Sequence, residues 1–145
     1  MRSLRLLPAA LVALALVASG CGGDGTGERV DVESFVVNVE VTEFSVTPNP
    51  SSAAAGPIAF GVRNGGGITH EFVVIQTDLA EDALPVAGNV VDEDGEGITI
   101  INKIEEVPAG GSVILRADLE AGAYVLICNI STHYESGMRA AFEVA

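Results

Sequence analysis

Basic residues are the first shortage in this chain: seven Lys and Arg face twenty Asp and Glu, a formal charge of −13. So acidic a composition argues against nucleic acid and against charge-driven adsorption to anionic lipid, since both carry the same sign. Long apolar runs are missing too. The longest, residues 6–17, falls short of the roughly 20 residues of a membrane-spanning helix. No segment shows a convincing amphipathic-helix period, and no internal repeat is present. Asp92-Glu93-Asp94-Gly95 lacks the spaced oxygens and terminal Glu of an EF-hand, which excludes that calcium site. Cysteine, histidine and methionine are thin as well, with two of each.

The N-terminus reads as an export signal. Arg2 and Arg5 precede the apolar stretch, which is the size of a signal-peptide core. No Arg-Arg pair precedes it, so a twin-arginine route is not indicated. The stretch ends in Val-Ala-Ser-Gly-Cys21, which resembles a bacterial lipobox, with Ala18 where Leu is commoner. The expected organisation is a signal peptide over 1–20, a lipidated Cys21 heading a flexible Gly-rich tether over 21–30, and one domain over 31–145. The nine residues 22–30 reach at most about 30 Å when fully extended. Loss of Arg2 and Arg5 leaves five basic residues against twenty acidic ones, a mature charge of −15. That charge favours a basic or cationic partner met in salt-sensitive encounters, and solubility alone accounts for it equally well.

What remains alternates and turns. Val37, Val39 and Val41 alternate with polar residues, and Phe44 and Val46 continue the segment to Pro48 and Pro50. Ile58, Phe60 and Val62 alternate again up to Gly65-Gly66-Gly67. A third run begins at His70, and further strands are expected over 98–104, 113–119, 124–128 and 140–144. The run Tyr-Val-Leu-Ile-Cys at 124–128 has the continuous apolarity of a strand buried on both faces. Residues 78–97 read as an acidic loop with a short helical turn around 79–84. Many short strands with regular turn signals predict an all-β sandwich or barrel.

The scarce residues fall in a pattern. Cys128, His133 and Met138 form Cys-x4-His-x4-Met within eleven residues. Thiolate, imidazole and weakly held thioether are three of the four ligands of a mononuclear copper site that cycles between Cu(I) and Cu(II). The fourth would be a second histidine, and His70 is the only other one. If Cys21 carries lipid, Cys128 has no disulfide partner in an oxidising compartment. Each residue alone would be an ordinary core or surface side chain. Together they are the only two histidines, the only cysteine outside the lipobox and the only methionine after Met1.

Over about residues 35–145 the chain resembles the cupredoxins, small Greek-key β-sandwich proteins that include plastocyanins, azurins and auracyanins. The resemblance is carried by Asn64-Gly-Gly-Gly-Ile-Thr-His70-Glu-Phe and by Gly122-Ala-Tyr-Val-Leu-Ile-Cys128-Asn-Ile-Ser-Thr-His133-Tyr-Glu-Ser-Gly-Met138. It implies one type 1 copper ion with His70, Cys128 and His133 as equatorial ligands and Met138 as the axial one. The ligand-loop length is closer to that of auracyanins than of plastocyanins. Two departures stand out: Ser131-Thr132 replaces a common Pro-Gly, and Glu71 follows the first His where relatives carry Asn, Ser or Asp. The Glu71 backbone N–H is expected to bond to the Cys128 sulfur, and Asn129 to support the ligands from behind.

The resemblance implies a membrane-tethered blue copper electron carrier, extracytoplasmic in the periplasm or at the cell surface. Its expected partners are redox proteins of a respiratory or photosynthetic chain with a basic docking surface, and the carrier itself is expected to be a monomer. A copper chaperone or copper-sensing module on the same fold is the alternative. An enzyme is not expected. Multicopper oxidases and copper nitrite reductases need further histidines, a binuclear copper site needs a second nearby cysteine, and a Ser-His-Asp triad would take a copper ligand.

Overall fold

The structure, a computed structural model, describes residues 37–145. The signal peptide, Cys21, the tether and residues 31–36 lie outside the described residues. Eleven strands follow in order: β1 (Val37–Thr42), β2 (Ser45–Asn49), β3 (Ser52–Ala53), β4 (Gly56–Asn64), β5 (His70–Gln76), β6 (Val86–Ala87), β7 (Val90–Val91), β8 (Thr99–Val107), β9 (Ser112–Leu119), β10 (Gly122–Ile127) and β11 (Arg139–Val144). They build a four-stranded sheet ordered β2-β1-β4-β9, a five-stranded sheet ordered β3-β11-β10-β5-β8, and a small β6-β7 hairpin. β1 pairs with β4 and β3 with β11 in parallel, and the remaining pairs are antiparallel. The chain thus passes repeatedly between the two large sheets, as the expected all-β Greek-key sandwich requires.

The alternation seen in β1 and β4 points one set of side chains inward. Val37, Val39 and Val41 face the core together with Ile58, Phe60 and Val62. Phe60 sits at its centre, 5.7 Å from the Phe72 ring and 5.5 Å from the Phe142 ring. Fully burying each such side chain contributes about 1.5–3 kcal/mol, so this interlayer is the main source of stability.

In the second large sheet, β5 and β10 are covered on both faces. Phe72 and Val74 point into the interlayer, while Val73 and Ile75 point outward and are just as buried. They meet Val125 and Ile127 of β10 and are covered by Leu84, Val91 and Tyr134. Residues 78–98 therefore form a partial third layer, and the continuous apolar run of β10 reflects burial from both sides.

Two local expectations are corrected. The segment through Phe44 and Val46 is not one strand, because the chain reverses at Glu43-Phe44 and β1 and β2 pair antiparallel, Thr42 opposite Ser45. No helical turn forms over 79–84. One bond from Ala83 N–H to the Ala80 carbonyl closes a turn, and the Leu84 N–H donates instead to the Tyr134 hydroxyl at 3.0 Å. A partner from the neighbouring loop ends the turn before a helix can start.

Candidate metal centre

His70 is the first residue of β5 and Cys128 follows the last residue of β10. These strands are antiparallel neighbours with Val73 opposite Ile127, so the pairing carries both side chains to one end of the sheet. His133 and Met138 follow on the loop between β10 and β11. That loop is closed at its base, where Cys128 N–H donates to the Met138 carbonyl at 3.0 Å and Met138 N–H to the His133 carbonyl at 3.0 Å. His70, Cys128 and Met138 are fully buried, and His133 is 7% exposed, leaving an edge of its ring at the surface.

Three donor atoms converge. Cys128 Sγ lies 3.4 Å from His133 Nδ1 and 3.8 Å from His70 Nδ1. Among the described residues these are the one His, Cys or carboxylate group with ligand atoms gathered for a metal, all within 4.8 Å of one another. The two imidazole rings stand edge to face with centroids 5.3 Å apart. Met138 belongs to the same core cluster as Cys128.

No protein-family model matches the chain, and neither does any curated protein. Solved structures do match. Dithionite-reduced auracyanin from the photosynthetic bacterium Roseiflexus castenholzii is similar with a TM-score of 0.56 at 20% identity, over 74% of this chain and 94% of that one. Auracyanin B gives 0.55 at 19% identity, over 75% and 87%. Rusticyanin from Thiobacillus ferrooxidans gives 0.52 at 19%, over 74% and 76%. The fold is that of the cupredoxins. At such identities the likeness establishes the cupredoxin architecture, and the chemistry rests on the residues themselves.

Those residues fit a copper ion. Metal bonds of about 2.0 Å to nitrogen and about 2.3 Å to sulfur, opened to about 110–120°, put nitrogen and sulfur about 3.5–3.7 Å apart. The observed 3.4 and 3.8 Å bracket that spacing. The sulfur also receives the backbone N–H of Glu71 at 3.3 Å, as expected from the sequence. Burial nevertheless pushes the Cys128 thiol above its ordinary value, with the N–H groups of Glu71 and Ile130 opposing. A metal must therefore displace a proton to bind there. Burial, then the neighbouring His70, lowers the His133 imidazole, which favours the neutral form a metal needs.

Glu71 and Asn129 support the site in different ways. The Glu71 side chain turns to Lys103, whose Nζ lies 3.9 Å from Glu71, 3.2 Å from Glu93 and 3.8 Å from Glu105. Burial raises the Glu71 carboxyl, with Lys103 opposing and Glu93 and Glu105 adding to the rise. Asn129 takes the Val91 N–H on Oδ1 at 2.7 Å and gives Nδ2 to the Val91 carbonyl at 3.1 Å and to Glu93 at 3.2 Å. The β6-β7 hairpin also accepts the Thr132 N–H on the Asn89 carbonyl at 2.8 Å. Thr132 has φ +71°, the left-handed conformation glycine adopts freely, and this bond holds it there.

Two further residues have a hand in the site: Asn64, which the sequence offers only as the head of the motif before His70, and Glu43, which it does not single out. Asn64 is fully buried, donates to the Ile68 and Val107 carbonyls at 2.7 and 2.8 Å, and accepts the Gly66 N–H, which shapes the loop before His70. Glu43, in the β1-β2 turn, accepts the N–H groups of Gly67 and Ile68 at 2.8 and 3.0 Å. Backbone N–H bonds, first its own and then those of Ile68 and Gly67, hold its carboxyl below the usual value against some desolvation. A Cβ at Gly66 would fall 2.5–2.7 Å from that carboxylate, so a larger residue there would make the Glu43 side chain shift. The Gly65-Gly66-Gly67 run followed by His was the available signal.

Proposed function

We propose that the protein is a single-electron carrier, held outside the cytoplasm by a lipid on Cys21 and the 22–30 tether. One copper ion of the type 1 class would be held by His70, Cys128, His133 and Met138. The observation that carries this reading is the convergence of two imidazole Nδ1 atoms on a buried, unpaired cysteine sulfur that already receives a backbone N–H. When bound in this way, copper alternates between Cu(I) and Cu(II) and passes one electron per cycle.

The chain's own part is to hold the donors still. Both ends of the ligand loop are tied by backbone bonds, and its near end is clamped to the β6-β7 hairpin, so little moves when the charge changes. His70, Cys128 and Met138 are shielded from water, while the exposed edge of His133 is the route for the electron. This burial favours a carrier over a chaperone, whose ligands must be reached by an acceptor. That a similar auracyanin and a similar rusticyanin were each solved in a reduced form agrees with redox use of the fold. With a mature charge of −15, a basic docking surface on a respiratory or photosynthetic redox protein is the expected partner of the monomer.

Copper-loaded protein should be intensely blue, with the electron paramagnetic resonance signature of a copper thiolate, and Cys128→Ser should abolish both. Stoichiometric copper binding without colour in the wild type would refute the assignment.

A further inference from the structure

His70 presents Nδ1 to the sulfur, and its other nitrogen is the unusual one. Nε2 is a buried side-chain polar atom without a hydrogen-bond partner, the one such atom found among the described residues. Glu43 Oε1 lies 3.4 Å from it, close enough for an ion pair though not aligned as a hydrogen bond. The same oxygen already takes the N–H groups of Gly67 and Ile68, so backbone fixes the carboxylate over the imidazole. Next to Glu43, the Phe44 ring meets the His133 ring edge-on, with centroids 5.3 Å apart and planes at 80°. One two-residue turn therefore contacts both imidazoles.

We propose that the β1-β2 turn is a third positioning loop of the metal centre, in which the Glu43 carboxylate fixes His70 as the Nε2–H tautomer and sets a negative charge against that ligand. The inference rests on the copper reading above only for its electrochemical part. An unprotonated Nε2 would place a lone pair against a carboxylate oxygen, so the proton belongs on Nε2 and the lone pair on Nδ1, toward Cys128. A carboxylate behind a ligand imidazole orients the ring and strengthens its donation. A charge there also stabilises the oxidised metal more than the reduced one, so Glu43 holds the reduction potential down. The role belongs to a positioning residue, since Glu43 acts through His70.

Two variants and two readouts test this. In copper-free protein, nitrogen-15 NMR of the imidazoles should show His70 protonated at Nε2 with slow proton exchange. Glu43→Ala should speed that exchange or mix the tautomers. In copper-loaded protein Glu43→Gln keeps the size and the oxygen acceptor but removes the charge, so it should stay blue with a raised potential. A His70 tautomer and exchange rate unchanged in Glu43→Ala, or a potential unchanged in Glu43→Gln, overturns the proposal. If the wild type takes up copper without colour, the copper reading fails by itself, and the NMR arm still decides whether Glu43 positions His70.

Discussion

The Glu71 backbone N–H points at the Cys128 sulfur from 3.3 Å, joining the strand that carries the first histidine to the cysteine that ends the next strand. The β5-β10 ladder ends at the Val73-Ile127 pair, and beyond it the Glu71 amide meets the sulfur in place of a strand carbonyl. Hydrogen bonds to a thiolate stabilise its charge and favour the reduced metal, whose own charge is lower. Glu71→Pro removes the donor where no ladder bond depends on it, and should lower the reduction potential by tens of millivolts. Glu71→Ala keeps the amide and serves as the control. Voltammetry of both variants decides the matter, and equal potentials would show that the bond has no electronic effect.

Copper-free protein should have a stability plateau bounded by two site residues. An unfolded imidazole takes up a proton near pH 6.5, whereas folded His133 resists it, so below that pH the unfolded state binds more protons and stability falls as pH falls. An unfolded thiol ionises near pH 9.0 while buried Cys128 keeps its proton. Above that pH the unfolded state binds fewer protons, and stability falls as pH rises. Melting temperatures measured from pH 5 to pH 10 should therefore peak between about pH 6.5 and about pH 9. His133→Gln should flatten the acid side of the curve and Cys128→Ser the alkaline side.

Thr132→Gly should stabilise the fold. A β-branched residue in the left-handed region costs about 1–2 kcal/mol, and glycine gives back about 0.5–1 kcal/mol in unfolded-chain entropy. The net gain expected in urea denaturation is about 0.5–1 kcal/mol. Lower stability would mean that the bond from the Thr132 hydroxyl to the Ser131 carbonyl outweighs the backbone strain.

Asn129→Ala should be costly for its size. It strands both the N–H and the carbonyl of buried Val91, at about 1–3 kcal/mol for each unsatisfied group. Chemical denaturation should show a loss of at least about 2 kcal/mol. With the hairpin released, the copper-loaded variant should also show a broadened thiolate band. A loss below half that size would mean that water replaces the amide.

The four proposed ligands were legible because their residue types are so scarce that the two histidines, Cys128 and Met138 had few other roles to fill. The sandwich was legible from alternation in β1 and β4 and from the apolar run of β10. The β1-β2 reversal was not, because Glu43-Phe44 carries neither glycine, proline nor asparagine, and its shape comes from contacts with the 65–68 loop and with Gly137. The β6-β7 hairpin did carry a signal. Gly88-Asn89, both at positive φ, is a hairpin dipeptide between Val86-Ala87 and Val90-Val91, masked by the acidic loop around it. Glu43 could not be singled out among twenty acidic residues, since its importance arises only when the fold brings it to His70.

The covered outer side of β5 and β10 bears on mutational tolerance. In β1 every second position faces outward and can vary with little consequence, which leaves a broad neutral space for drift. Along Phe72–Ile75 and Tyr124–Ile127 every side chain is buried, so a change must suit neighbours on one side or the other and few are silent. Cys128 directly follows the second stretch, and His70 precedes the first by two residues. The strands that hold the ligands are thus the ones least able to change, while the outer positions of β1 are free to diverge.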